Sequence, residues 1–314
     1  MGGNPMSDSS ARRTPGALIQ PPLISVIVPT HRRPKRLRCL RALADQGPDC
    51  PAFEVLVVDD GGGLPLEPVL APLRDHLALT LLSAPHGGPA AARNVGIAAA
   101  RGTLLAFTDD DCLPDPGWLS ALAICHARRP DALIGGRTLN ALRHNAYASA
   151  SQTLVDAVYA RLNADPEQAR FFASNNLAAP AELVRALGGF DAARFPLAAA
   201  EDRDLCARWL EAGHSLVHTT QAVVRHAHDL TLAGFWRQHL AYGRGAWRYR
   251  VALAQRHGPA AAQLALFPLH ELVRYPLRHA RGCPAVRTSA LILLSQVANA
   301  FGYLLEHLDP KRLD

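Results

Sequence analysis

The densest run of reactive side chains is Asp109-Asp110-Asp111. Three adjacent carboxylates repel one another, and burying them at a strand end is costly unless a cation compensates. A divalent ion is the natural partner, and oxygen ligands select a hard one, Mg²⁺ or Mn²⁺, that keeps positions open for phosphate oxygens. In an extended segment residues i and i+2 point the same way, so Asp109 and Asp111 are expected to converge while Asp110 faces elsewhere. The same run also suits an acidic surface turn. A second acidic pair, Asp59-Asp60, precedes Gly61-Gly62-Gly63, a loop that lets a ligand approach the backbone. It fits hydrogen bonding to a base or ribose, and equally a tight turn between a strand and a helix. It is not a dinucleotide fingerprint, because the G-x-G-x-x-G spacing is absent.

His86-Gly87-Gly88-Pro89 opens a helix whose first turns carry Arg93. A planar, permanently charged guanidinium can answer a diphosphate, and a helix N-terminus favours an anion there; Arg93 also fits an ordinary helix surface. Glu201-Asp202-Arg203-Asp204 starts an amphipathic helix. Acidic residues there cap the helix and offset its dipole, and one at a cleft rim can take a proton from an attacking hydroxyl. His226 and His228 follow the strand-like Ala222-Val223-Val224-Arg225, and either suits a metal ligand or a structural hydrogen-bonding role.

These groups need a frame that brings distant segments together. Leu23 to Val28 is short and β-branched and is expected to stop at Pro29; Phe53–Val58, Leu79–Leu82 and Thr103–Thr108 are further strands. Helices are expected over Pro34–Gln46, with Leu37, Leu40, Leu43 and Ala44 on one face, and over Ala90–Ala100. This alternation implies a parallel sheet with helices on both faces, in which ligands bind beyond the carboxyl ends of the strands. Pro29-Thr30, Asp59-Asp60 and Asp109-Asp110-Asp111 all lie there. Ala181–Leu187 and Asp202–Ala212 look helical, with Leu205 and Trp209 stacked one turn apart. After Thr231 no strand signal remains, and His257-Gly258-Pro259 marks a break between helices.

The 314 residues, half of them apolar, can build a substantial core, which excludes a disordered chain. Six scattered cysteines without a C-x-x-C pair argue against a zinc ribbon or disulfide framework and favour a reducing compartment. From Leu232 to Asp314 eleven Lys/Arg face four Asp/Glu, so the basic character belongs to the C-terminal part. Such a region suits nucleic acid, anionic lipid, an acidic substrate or plain solvent. Residues 1–20 lack the apolar core of a secretory signal and read as a loose tail. Ala290–Leu305 is interrupted by Ser295, Gln296 and Asn299 and reads as too short to span a membrane.

In order, Ile24-Ser25-Val26-Ile27-Val28-Pro29-Thr30, Val57-Val58-Asp59-Asp60-Gly61, Ala91-Ala92-Arg93-Asn94-Val95-Gly96 and Phe107-Thr108-Asp109-Asp110-Asp111 resemble the family 2 glycosyltransferases of the GT-A fold. Asn175-Asn176, Gly188-Gly189-Phe190-Asp191 and Glu201-Asp202 extend the likeness, which runs from about Ser25 to about Gly245. The resemblance implies an α/β, Rossmann-like domain over 22–231, with a nucleotide-binding half (22–115) and an acceptor half (116–231). A tail (1–21) and a basic helical extension (232–314) flank it. It implies a donor side of Pro29, Thr30, Asp60, Arg93, Asp109 and Asp110, in which the first three line the nucleoside pocket and Arg93 sits near the diphosphate. Asp109 and Asp111 would match the D-x-D motif, with Asp111 the direct ligand of Mg²⁺ or Mn²⁺. His226, 24 residues beyond Asp202, would complete the metal site, with His228 in reserve. Asp202 would be the catalytic base, Glu201 its neighbour contacting acceptor or donor, and Gly188–Asp191 would shape the acceptor side. Three glycines after Asp59-Asp60, where the family usually has Gly-Ser/Thr, leave the donor base open.

The expected activity is inverting transfer of a sugar from a nucleotide-diphosphate donor to a hydroxyl of a glycan, glycolipid or lipid-linked saccharide. The chain is expected in the cytoplasm, with peripheral contact at the inner face of the cell membrane and no nucleic-acid partner. The competing readings are a non-catalytic nucleotide-sugar-binding protein, against which Asp202 argues, and a membrane-surface or polyanion-binding module built on the basic C-terminal part.

Overall fold

Every residue of β1 (Ile24–Thr30) is buried, as a strand covered on both faces requires. The computed structural model describes residues 23–32, 38–63, 65–196, 199–260, 269–279 and 283–309. Successive side chains of a strand point to opposite faces, and here they enter two separate cores. Ile24, Val26 and Val28 join one, and Ile27 the other. β2 (Phe53–Asp60) divides likewise, with Val55 and Val57 opposed to Leu56 and Val58. α1 (Arg38–Ala44), with Leu40 and Leu43, covers the first core; α2 (Glu67–Leu70) leads to β3 (Leu79–Ala84). α3 (Gly88–Ala99) lays Ala90, Ala92 and Ile97 on the second core.

β4 (Leu104–Phe107) and the short β5 (Cys112–Pro114) bracket the acidic run. Then follow α4 (Trp118–Arg128), β6 (Leu133–Asn140), α5 (Ala146–Leu162), β7 (Leu177–Pro180), α6 (Ala181–Ala186), α7 (Glu201–Glu211) and β8 (Leu216–His226). The sheet order is β3-β2-β1-β4-β7-β6-β8-β5. The expected parallel unit is β3-β2-β1-β4. Beyond it β7 runs antiparallel to both β4 and β6, β8 parallel to β6, and β5 antiparallel to β8. β5, β6 and β7 were not expected; they extend the parallel unit into a mixed sheet that carries the second half of the chain.

One boundary differs from expectation. β1 does not stop at Pro29 but pairs with β2 through Thr30↔Asp59, whereas its pairing with β4 ends at Ile27↔Phe107. With β2 the sole neighbour at Pro29, the missing N–H leaves little of the ladder unsatisfied. The first helix is described from Arg38, so Pro34 and Leu37 lie outside the described residues, as does the 1–21 tail.

α8 (Leu232–His257) is capped by Thr231, whose Oγ1 accepts the Gly234 N–H, and ends where the His-Gly-Pro break was expected, at Gly258. α9 (Leu269–His279) packs on α5 and on α10 (Cys283–Leu308), which packs in turn on α8 and α5. α8 and α10 cross at two glycines: a Cβ on Gly243 would lie 1.9 Å from the Asn299 carbonyl, and one on Gly302 2.0 Å from that of Leu240. Beside the crossing, buried Glu306 accepts from Arg244 Nε at 2.5 Å and Arg248 Nε at 2.7 Å. α10 is longer than the apolar stretch read from the sequence. Among the described residues, Pro284–Leu308 is long and apolar enough to cross a membrane by length and composition.

Candidate active site

The carboxyl ends of β1, β2 and β4 and the N-termini of α3 and α7 meet on one rim of the sheet. At the end of β1, Thr30 donates its hydroxyl to Asp110 Oδ2 at 2.8 Å, so Asp110 joins two adjacent strand ends from a buried position. Asp59 accepts the Gly62 N–H at 2.9 Å and closes the glycine turn. Asp60 is buried and accepts the N–H groups of Gly87 at 2.8 Å and Gly88 at 3.1 Å, together with His86 Nδ1 at 2.8 Å. A carboxylate on the first amides of α3 is where the helix dipole favours it. Gly88 belongs there: its φ is +84°, and a Cβ would stand 2.2 Å from the Pro196 carbonyl.

After β4 the chain turns at once, with the Cys112 N–H on the Asp109 carbonyl. The turn replaces the extended backbone behind the expected i, i+2 convergence, and the three acids take separate partners. Asp109 Oδ1 accepts from Arg93 Nη2 at 2.8 Å, and the other Arg93 terminal nitrogen donates to Glu201 Oε1 at 3.0 Å. Arg93 is only 3 % exposed, and its charge lies over the Phe190 ring at 5.5 Å. Burial opposes its charge, yet Asp109 and Glu201 outweigh that and raise its pKa further. A helix on one strand connection thus ties the β4 end to the start of α7.

Glu201 and Asp202 open α7 after Ala200, which holds φ +71° in the left-handed region. Burial, reinforced by the Asp202 charge and opposed by Arg93, pushes the Glu201 carboxyl up to about 7. Its Oε2 has no protein partner among the described residues. Burial also raises Asp202, against hydrogen bonds from the Arg203 N–H at 2.7 Å and the Ser174 N–H at 3.3 Å.

Asp111 turns the other way, with Oδ1 3.1 Å from His226 Nε2 at the end of β8. Burial alone would lower the His226 pKa; the Asp111 hydrogen bond and the charges of Asp111, Asp109 and Asp110 raise it instead. Asp111, Cys112 and His226 each offer a ligand atom within 4.8 Å of the others. Burial lifts the Cys112 thiol well above its ordinary value, so the donors suited to a hard divalent ion are the Asp111 oxygens and the His226 nitrogen. His228 stacks on His226 with ring centroids 4.9 Å apart. A cavity of about 140 Å³ opens against Asp111, lined also by Arg38, His144 and Asp229. The Ser174–Asn176 turn touches both ends of the site: Ser174 N–H reaches Asp202, and Asn175 Nδ2 lies 3.5 Å from His226 Nδ1.

The structure therefore gathers the expected residues on one rim, in two linked groups. One is Arg93 with Asp109, Glu201 and Asp202; the other is Asp111 with His226. Pro29, Thr30 and Asp110 line the ends of β1 and β4, and Asp60 the end of β2 against α3. Gly189 of the Gly188–Asp191 segment receives the Arg208 guanidinium on its carbonyl, and the Phe190 N–H donates to Asn94 Oδ1. Sequence reading missed His31 and named His86 only as the start of the glycine-rich helix entry; the two stack at 4.2 Å above Asp60, His31 donating to the Asp60 carbonyl at 2.7 Å. It also missed Gln238 and Tyr242 on α8, joined at 2.6 Å. The Tyr242 hydroxyl is raised by desolvation and then by Asp202, Glu201 and Asp109. The i, i+4 spacing on an aromatic-bearing helix was the available signal.

The model of Glycosyl transferase family 2 matches residues 25–186. Pre-mycofactocin glycosyltransferase of Mycobacterium tuberculosis is 29 % identical over 253 residues, covering 77 % of this chain and 50 % of its own length. The chain spans about half the length of that relative. A solved mannosyltransferase, PcManGT from Pyrobaculum calidifontis in complex with GDP-Man and Mn²⁺, superposes with a TM-score of 0.61 at 19 % identity, over 91 % of this chain and 88 % of its own. S. aureus TarS in complex with UDP-GlcNAc superposes with a TM-score of 0.51 at 16 % identity, over 92 % and 91 %. These likenesses carry the GT-A fold of the sheet and its helices.

Proposed function

Because the chain belongs to glycosyl transferase family 2, we propose that it moves a sugar, with inversion, from a nucleotide-diphosphate donor to a hydroxyl of a glycan, glycolipid or lipid-linked saccharide. The observation that carries this reading is the buried Arg93 bridge, which sets Asp109 and the Glu201-Asp202 pair on one rim with partners at 2.8 and 3.0 Å.

Asp202 acts as general base toward the acceptor hydroxyl. Its raised pKa strengthens it as a proton acceptor compared with an ordinary aspartate. Glu201 Oε2, without a protein partner among the described residues, accepts a hydrogen bond from substrate, while Oε1 stays on Arg93. Arg93 uses both terminal nitrogens on carboxylates, so it serves the diphosphate by charge and by holding Asp109 in place. Thr30, Pro29, Asp60 and Asp110 form the nucleoside wall. Asp111 and His226 would hold Mg²⁺ or Mn²⁺, while Asp109 stays on Arg93; the ion would supply positive charge to the departing diphosphate. Mn²⁺ in the mannosyltransferase complex and nucleotide sugars in both neighbours support this choice.

The decisive measurement is turnover of a panel of nucleotide sugars by the Asp202→Asn enzyme. Loss of a general base lowers rate by about 10²–10⁴-fold while donor affinity stays within a few-fold. Near-normal turnover removes Asp202 from the chemistry.

A further inference from the structure

α10 buries one side of its cylinder and leaves the other to solvent. Gly302, Ser295, Ile292 and Glu306 lie on the buried side. On the outer side Val286, Leu293, Val297, Phe301, Leu304 and Leu308 are each between 49 and 75 % exposed. At 100° per residue these six fall within one narrow stripe, which Ala290 and Ala300 continue and no charged residue interrupts. From Val286 to Leu308 the stripe is about 33 Å long at 1.5 Å per residue. Continuous exposed apolar surface on this scale marks a contact site.

The neighbouring charges are of one sign. On α9 and α10 the exposed Asp, Glu, Lys and Arg side chains are Arg274, Arg278 and Arg287; Glu271 is paired with Arg161, and Glu306 is buried between two arginines. α9, which packs against α10, adds exposed Leu277 between its two arginines. An apolar stripe edged by arginines complements a bilayer surface bearing anionic headgroups. A second copy of these helices brings the same three arginines, while its Glu271 is held by Arg161 and its Glu306 is buried between two arginines.

We propose that the outer face of α10, with Arg274, Arg278 and Arg287, docks in the plane of an anionic membrane surface. The helix lies on the bilayer rather than crossing it. Its opposite side is engaged with α8 through the Gly243–Gly302 crossing, and spanning would strip Glu306 from Arg244 and Arg248. The docking stands apart from the catalytic reading, since none of its residues belongs to the cleft.

Flotation of the full chain on phosphatidylcholine vesicles, with and without about one third phosphatidylglycerol, tests it. Binding is expected to the anionic vesicles, weakening at high salt. Phe301→Glu and Leu293→Glu, on exposed positions, each lower partitioning by about tenfold with an unchanged melting temperature and donor hydrolysis. The joint replacement of Arg274, Arg278 and Arg287 by Glu abolishes the preference for anionic lipid. Absence of flotation on anionic vesicles overturns the proposal, as does flotation that Phe301→Glu leaves intact. A dimer in light scattering that Phe301→Glu dissolves, without vesicle binding, assigns the face to a second copy instead.

Discussion

At the residue scale the site depends on Arg93, whose guanidinium is enclosed and shared by Asp109 and Glu201. Removing one partner of a buried ion pair costs about 3–5 kcal/mol, because the remaining charge is left uncompensated. Arg93→Ala is therefore expected to lower stability by that amount and to lower turnover together with it, which a denaturant series and a rate assay on the folded fraction will separate. Arg93→Lys keeps the charge but not the fork, and is expected to recover stability in part and activity little. Glu201 carries a pH consequence. Its folded pKa, about 7, lies above the ordinary 4.5, so the folded state holds the proton more tightly than the unfolded one. Stability is then highest below pH 4.5 as far as this group decides, and falls as pH rises toward 7. Asp202, also raised, acts in the same direction. Glu201→Gln should flatten the decline in melting temperature between those pH values; an equally steep decline in the variant would return the effect to other groups. For the metal group, Asp111→Ala should abolish the enhancement of donor binding by Mn²⁺ in calorimetry. Unchanged affinity would exclude Asp111 as a ligand.

At the scale of elements, the legible parts were those whose side chains repeat the local geometry. β1, β2 and β4 are short apolar runs because both faces are covered, and α3 and α7 show their buried side in the spacing of Ala90, Ile97, Leu205 and Trp209. β6 and β7 stayed hidden because Gly135-Gly136 interrupts the first and Ala178-Ala179-Pro180 makes up most of the second. Gly135 is in β6 because the Phe172 ring occupies the place of its side chain, a Cβ there falling 1.9 Å from the ring. The acidic run was legible as chemistry, but its partners were not. Asp109, Asp110 and Asp111 diverge because the turn after β4 ends the alternation on which the expected convergence rested. His31 and His86, beyond the ends of β1 and β3, meet only because both turn over Asp60 at the end of the intervening β2. The crossing of α8 and α10 makes a further prediction: Gly302→Val must push α10 away from Leu240, costing about 1–3 kcal/mol and lowering the melting temperature accordingly.

Across the whole molecule, two linkages tie the parts of the site together. Arg93 spans from α3 to α7, and the Ser174–Asn176 turn connects Asp202 with His226. Ligand that engages both groups should stabilise the entire domain, because anything binding the native state alone raises its melting temperature by mass action. Thermal shift with nucleotide sugars should show a larger rise with Mn²⁺ than with EDTA, and Asp111→Ala should remove the difference. The pairing of Glu306 with Arg244 and Arg248 adds a consequence for anyone shortening this protein. A cut before α10 does not trim an appendage; it takes away the anion that two arginines in the middle of α8 share, one of them almost wholly enclosed. Such a fragment begins with a damaged long helix behind the cleft, and inactivity in it would speak of that injury before it spoke of where the intact chain resides.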